Sequence, residues 1–282
     1  MILDRFLSTF SLVSRIPVKI HFTFDASRMD FYLPVIGVCP ALLVFLVSQG
    51  LVLIMSEPLV ISIIVLIVQY FCFNLFHLDG LMDSADAFLG TVDREKRLAI
   101  LKDSRVGVYG FFAGFADLSL KAALLSALLP FFHQYAVLLL AYPISGRFGG
   151  ALIPCLAKPA NPGGLGALAK DAKAFRAILG FLSALIIWGL LAWGFFKLGT
   201  FVFGAEVLGG PAFPTWNFQE IIPIMPLLAI SLCLSGPLAA LFYARVYHRS
   251  LGGYTGDALG AAIETGELLH LSVAYIILSV AA

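Results

Sequence analysis

Seven stretches of this sequence are apolar for long enough to cross a bilayer, and no other feature constrains the fold as strongly. They cover about 32–55, 58–77, 110–130, 134–156, 177–198, 221–244 and 258–280. A helix needs roughly 20 apolar residues to span the hydrocarbon core. Composition agrees: 60% of the 282 residues are apolar and 12% are charged, where soluble domains carry about 25% charged residues. The chain is therefore expected to be all-α. It reads as a polytopic integral membrane helical bundle of about seven transmembrane helices, with residues 1–282 forming one membrane domain.

Residues 1–30 are amphipathic instead. Phe6, Phe10 and Val13 recur at helical spacing beside Arg5 and Arg15, which predicts an N-terminal interfacial helix on the membrane surface. An eighth, shallow segment is the alternative. Asp4 and Arg5 come early and no long apolar run precedes a small-residue cleavage site, so no signal peptide is expected. No basic run points to nucleic acid. Cys39, Cys72, Cys155 and Cys233 each stand alone in apolar sequence and read as small packing residues.

Orientation follows from Lys and Arg. Residues before the first span, and the connections 78–109, 157–176 and 245–257, hold 15 of the 18 basic residues. The alternate connections, near 56–57, 131–133 and 199–220, hold almost none. Seven spans put all four basic segments on one side, with a cytoplasmic N-terminus. The two halves show no self-similarity, which speaks against an inverted-repeat transporter.

Polar residues in such a chain need a reason. Asp79, Asp83 and Asp86 follow an apolar span at i, i+4 and i+7, one narrow stripe of a helix. Like charges on one face repel and pay desolvation near lipid. A bound cation relieves both, and all-oxygen ligation fits Mg²⁺ or Mn²⁺ better than Zn²⁺. The blander reading is a solvated helix start with acids near the dipole. His77, just before the stripe, reads as a base, a phosphate contact or a polar helix end. Asn74 reads as a hydrogen bonder between helices.

Two further groups share that side. In the run from Lys102, Asp103, Ser104 and Arg105 to Gly107 and Gly110, glycines beside Ser and Arg let backbone N–H groups and a guanidinium approach phosphate. In the run 252–267, Asp257 and Glu264 share a helix face and Glu267 lies one turn on. Intramembrane carboxylates are functional candidates; the alternative is an ion pair with a basic residue of another helix. Arg147, inside the fourth span, reads either as a diphosphate clamp or as the partner of Glu264 or Glu267. Asp117 and Lys121 are four apart and read as an intrahelical pair.

Carboxylates, glycine-rich turns and guanidinium groups on one face are what metal-assisted phosphoryl transfer requires. No P-loop or kinase signature is present. The residues alone thus predict a divalent-metal-dependent transferase acting on a phosphate-bearing substrate at the cytoplasmic membrane surface.

The run from His77 to Asp86, continuing through Lys102 to Gly110, resembles the signature of the cobalamin synthase (adenosylcobinamide-GDP ribazoletransferase) family. Arg15-Ile16-Pro17-Val18 and the Gly252–Gly260 run with Glu264 and Glu267 resemble it too, so the likeness runs nearly end to end. Ala87 stands where Gly is usual and Met82 where a smaller residue is usual; neither is a proposed ligand. The resemblance implies the last stage of cobamide assembly, in the bacterial cytoplasmic (inner) membrane with the active site cytoplasmic. Adenosylcobinamide-GDP and α-ribazole, or α-ribazole 5′-phosphate, are the implied substrates, Mg²⁺ the metal, and GMP the leaving group. With the phosphorylated nucleoside the 3′-hydroxyl attacks the cobinamide-side phosphorus. A homo-oligomer stays open.

On this reading Asp79, Asp83 and Asp86 hold Mg²⁺ against the diphosphate. Asp257, Glu264 or Glu267 completes a second metal site or accepts the hydroxyl proton, His77 is the alternative base, and Arg105 and Arg147 balance phosphate charge. Two rivals remain. A CDP-alcohol phosphotransferase would show an Ala-Arg pair where this chain has Met82-Asp83. A cation-coupled transporter would use Glu264 and Glu267 as its ion site.

Overall fold

The structure, a computed structural model, describes residues 1–161, 163–208 and 222–281, and side chains for these except 132–134, 165 and 196–208. Among the described residues seven helices are long and apolar enough to cross a membrane. The amphipathic helix α1 covers Ile2–Val13. The spans are α2 (Met29–Val52), α3 (Pro58–Gly90), α5 (Val108–Phe131), α6 (Tyr135–Leu156), α8 (Met225–Leu251) and α9 (Gly256–Ala281), together with α7, whose helix covers Ala174–Leu208 and whose apolar span covers Ala174–Phe195. Short α4 (Arg94–Ile100) lies between α3 and α5. The all-α bundle is thus as expected. Most of the expected connection 199–220, and the first residue of the span 221–244, lie outside the described residues.

The second span differs most from expectation. It continues to Gly90, with a π turn at Tyr70–Asn74. The reason is the stripe itself: Asp79, Asp83 and Asp86 occupy one face, while Leu78 and Ala87 on other faces stay buried. With 33 residues this helix is about 50 Å long, well beyond a hydrocarbon core of about 30 Å.

Helix α6 forms the centre, with 78% of its apolar window buried inside the protein, against 22% for α7 at the perimeter. Helices α3, α8 and α9 surround it and one another. Glycines line the closest seam, where Gly149 meets the Gly236 backbone, as small residues do where membrane helices approach tightly. Outward-facing Phe111, Phe115, Ile186, Trp193, Phe242 and Ile276 are exposed in the protein alone and offer lipid an apolar belt. The four cysteines are free.

The four basic segments meet at one end of the bundle. Buried Asp30 accepts hydrogen bonds from Lys173 N and Arg176 Nε, each 2.7 Å. Tyr254 joins the connection after α6 by backbone bonds with Lys158 and Ala160, and its hydroxyl donates to Gly166 O. Arg94 Nη2 donates to Leu251 O at 3.2 Å. At the same end Arg5 Nε donates to Asp25 Oδ2 at 2.8 Å, tying α1 to the segment before α2.

Candidate active site

At this polar end α3 and α9 touch through their backbones. A Cβ on Gly80 would stand 2.9 Å from Asp257 O and 3.0 Å from Asp257 Cα, so only glycine permits the approach. The contact sets the acids of α3 beside the start of α9. Asp79 is exposed; Asp83 and Asp257 are half-buried. The charged groups that act on Asp83 are Asp79, Asp257 and Asp86. Thr255 Oγ1 donates to Asp257 Oδ2 at 2.9 Å, which orients that carboxylate as α9 begins.

Asp86, on the same stripe, is engaged differently. Its two oxygens accept from Gly107 N at 2.7 Å and Gly110 N at 2.8 Å. These N–H groups belong to the first turn of α5, which has no intrahelical partner for them and carries the positive end of the helix dipole. A carboxylate from α3 thus caps α5, and the Gly107 and Gly110 amides are committed to it rather than free for phosphate.

The rest of that loop lies outside. Lys102 and Ser104 are exposed. Arg105 Nη2 donates to Asp103 Oδ2 at 2.6 Å, and Arg105 Nε adds bonds at 3.0 and 3.1 Å. The guanidinium holds the Asp103 carboxyl below its ordinary range.

Glu264, Glu267 and Arg147 form a second cluster deeper in the bundle, away from the surface acids. All three are fully buried, as is Lys121. Arg147 Nη1 pairs with Glu267 Oε1 at 3.1 Å, the ion pair weighed from sequence. Lys121 pairs with Asp117 at 3.1 Å, with Glu267 at 3.3 Å and with Glu264. Asn74, on the π turn, donates to both Glu264 Oε1 and Glu267 Oε2 at 3.0 Å and accepts from Arg147 at 3.1 Å. Tyr70 on the same turn reaches Asp117 at 2.9 Å. A π turn, which rotates one extra residue into each turn, is common at such functional insertions.

His77 is buried on the far side of α3, about 160° around the helix from Asp79, and its Nε2 has no hydrogen-bond partner. Two side chains not singled out from sequence support the acids. Ser84 Oγ donates to Gly80 O at 2.5 Å and meets the buried Tyr247 hydroxyl at 2.7 Å, locking α8 to α3 between Asp83 and Asp86. The only signal for them was polarity at buried positions of apolar helices.

Among the described residues no three His, Cys, Asp or Glu side chains converge closely enough to enclose an ion by themselves. That geometry still fits Mg²⁺, which keeps part of its water shell and is commonly held by one or two carboxylates plus substrate phosphates. Asp79 and Asp83 lie on one accessible face with no ion pair among the described residues, and they have the hard oxygen donors that this ion takes.

Comparison with known proteins gives the family of the chain. The cobalamin-5-phosphate synthase family model matches residues 5–275. An adenosylcobinamide-GDP ribazoletransferase of Thermosipho melanesiensis is 33% identical over 60% of this chain and 68% of its own length. The protein of that name from Rhizobium etli is 32% identical over 77% of this chain and 73% of its own. That of Clostridium botulinum is 29% identical over 96% and 97%. No solved structure matches the chain. The family match covers the aspartates of α3, the cap on α5 and the start of α9 alike, so the chain belongs to the cobalamin-5-phosphate synthase family.

Proposed function

We propose that this protein is an adenosylcobinamide-GDP ribazoletransferase. It joins adenosylcobinamide-GDP to α-ribazole or its 5′-phosphate and releases GMP, giving adenosylcobalamin or its 5′-phosphate. The observation that carries the reading is the convergence of Asp79, Asp83 and Asp257 at the polar end of a membrane bundle, within the span of the family match. The Lys and Arg bias supports a cytoplasmic face for this end, in a bacterial inner membrane.

Asp79 and Asp83 hold Mg²⁺ in this reading. When bound, the metal neutralises charge on the diphosphate and its GMP leaving group. Asp257, oriented by Thr255, accepts the proton of the attacking 3′-hydroxyl, and the oxygen forms its bond to the cobinamide-side phosphorus as the bond to GMP breaks. Arg105 and Lys102 on the α4–α5 loop meet phosphate charge from the open side. Asp86 keeps that loop registered against α3. Arg147, Glu264 and Glu267 support the bundle from within.

The test is turnover by purified protein in lipid nanodiscs with adenosylcobinamide-GDP, α-ribazole 5′-phosphate and Mg²⁺, following GMP and corrinoid product. Absence of GMP across several metals and lipids, from folded protein, would overturn the reading. Ion flux in liposomes under the same conditions would favour the transporter instead.

A further inference from the structure

A chain of hydroxyl groups runs up to Asp257 from Ser84 of α3, through Tyr247 of α8, to Thr255 directly before α9. Ser84 Oγ donates to Gly80 O at 2.5 Å and lies 2.7 Å from the Tyr247 hydroxyl. Thr255 Oγ1 donates to Asp257 Oδ2 at 2.9 Å. The Tyr247 hydroxyl stands between these two bonds, and both Thr255 and Asp257 act on it. Tyr247 is fully buried. Phe88 meets its ring edge-on, with centroids 4.6 Å apart. It packs in one cluster with Tyr254 and Ala258, the residues that bracket Thr255 to Asp257.

A hydroxyl carries one hydrogen and two acceptor lone pairs, so the direction of each bond can be counted. The Ser84 hydrogen goes to Gly80 O, which leaves Ser84 as the acceptor toward Tyr247. The Tyr247 hydrogen is thereby committed to Ser84. The Thr255 hydrogen goes to a carboxylate, the stronger kind of acceptor. What Tyr247 turns toward Thr255 and Asp257 is then its oxygen, without a hydrogen. Among the described residues Thr255 is the single side chain that donates to Asp257. A hydrogen aimed at a carboxylate makes it a poorer proton acceptor, whereas an oxygen aimed at it does not. Away from water such dipoles act strongly.

We propose that Ser84 and Tyr247 are positioning residues for Asp257: Ser84 takes the Tyr247 hydrogen and so keeps the phenol from donating toward the base. Neither residue touches substrate. The proposal rests on the transferase reading, in which Asp257 accepts the proton of the attacking hydroxyl. Without Ser84 Oγ the phenol hydrogen turns to the next acceptor, Thr255 Oγ1, and through it strengthens the bond to Asp257. Removing one hydroxyl then weakens the base, and removing the second restores it.

Ser84→Ala, Tyr247→Phe and the double variant in nanodiscs test this. Ser84→Ala is expected to lower kcat for GMP release about tenfold, a part of the roughly 10²–10⁴ that a positioned base contributes. The KM of both substrates should stay within twofold of wild type. Tyr247→Phe should cost less, and the double variant should match it, so adding Tyr247→Phe to Ser84→Ala raises kcat severalfold. Mere loss of packing gives the opposite order, a double variant slower than either single one. The infrared band of the Asp257 carboxylate, isolated as the difference between each protein and its Asp257→Asn counterpart, reads the same direction without substrate. It should shift in Ser84→Ala and move back in the double variant. Those shifts in a protein whose wild type releases no GMP would sink the transferase reading and leave the hydrogen direction standing. The proposal is overturned if the double variant is as slow as Ser84→Ala or slower, or if Ser84→Ala leaves kcat unchanged. It is equally overturned if the carboxylate band is the same with and without Ser84.

Discussion

Gly80 lies against the backbone of Asp257, 2.9 Å from its carbonyl oxygen when measured from the position a Cβ would take. This contact, together with that of Gly260 on the His77 backbone, holds the acids of α3 beside the carboxylate that opens α9. Gly80→Val forces the helices apart by roughly the width of a methyl group. Misplacement of about 1 Å can cost on the order of a hundredfold in rate. We expect GMP release to fall by about that factor while the protein still inserts and purifies as wild type. An unchanged initial rate would show that the spacing of Asp79, Asp83 and Asp257 is set elsewhere.

The three aspartates of the stripe should separate by experiment. Asp83→Asn should abolish transfer without lowering the melting temperature, since Asp83 is half-buried and makes no capping bond. Asp79→Asn should raise the Mg²⁺ concentration needed for half-maximal rate. Asp86→Asn keeps one acceptor for the Gly107 and Gly110 amides but loses the other and the charge, at a cost of about 1–2 kcal/mol. It should therefore lower stability with an unchanged Mg²⁺ midpoint. Equal Mg²⁺ shifts in all three variants would return Asp86 to the metal.

The spans were legible because each is a long apolar run that lipid alone explains, and the Arg147–Glu267 pair was legible as one of two uses for a membrane-buried cation. Asp117 and Lys121 were legible as neighbours at i, i+4, but not their extension to Glu264 and Glu267, which needs the packing of α5 on α9. Asp86 shows why periodicity stops short of function. Three acids on one stripe look equivalent, yet the partners of Asp86 lie 21 and 24 residues along the chain, across a turn whose path the spacing does not contain. His77 was legible as unusual, while its burial against α9, where Gly260 meets the His77 backbone, could not be read from α3 alone.

The Arg5–Asp25 pair gives a prediction in acid. Hydrogen bonds from Ser27 and Arg5 hold the Asp25 carboxyl below its ordinary range. A depressed carboxyl stabilises the fold fully above its unfolded value, about 3.9, and loses that contribution as pH falls through the folded value. Amides of Leu7–Val13 should thus show the same hydrogen-exchange protection per opening event at pH 7 and pH 5, after correction for intrinsic rates. Asp25→Asn should lower that protection several-fold at both. Loss of wild-type protection already at pH 5 would mean that another group fastens α1.

Lys121 sets the last expectation. It is fully buried and within 3.1 Å of Asp117 and 3.3 Å of Glu267, with Glu264 against it as well. Lys121→Met keeps the volume but leaves three buried carboxyls to share Arg147. Removing one partner of a buried charge network typically costs about 3–5 kcal/mol, so unfolding in mixed micelles should shift strongly toward the denatured state. Adding Glu264→Gln removes one unmatched carboxylate and should recover part of the loss, since contacting residues couple. The network makes no ion pair with Asp79, Asp83 or Asp257, so folded Lys121→Met at low temperature should still release GMP within a fewfold of wild type. If instead the variant melts like wild type and turns over nothing, these charges belong to the chemistry or to an ion path, and the division between an outer reacting cluster and an inner supporting one is wrong.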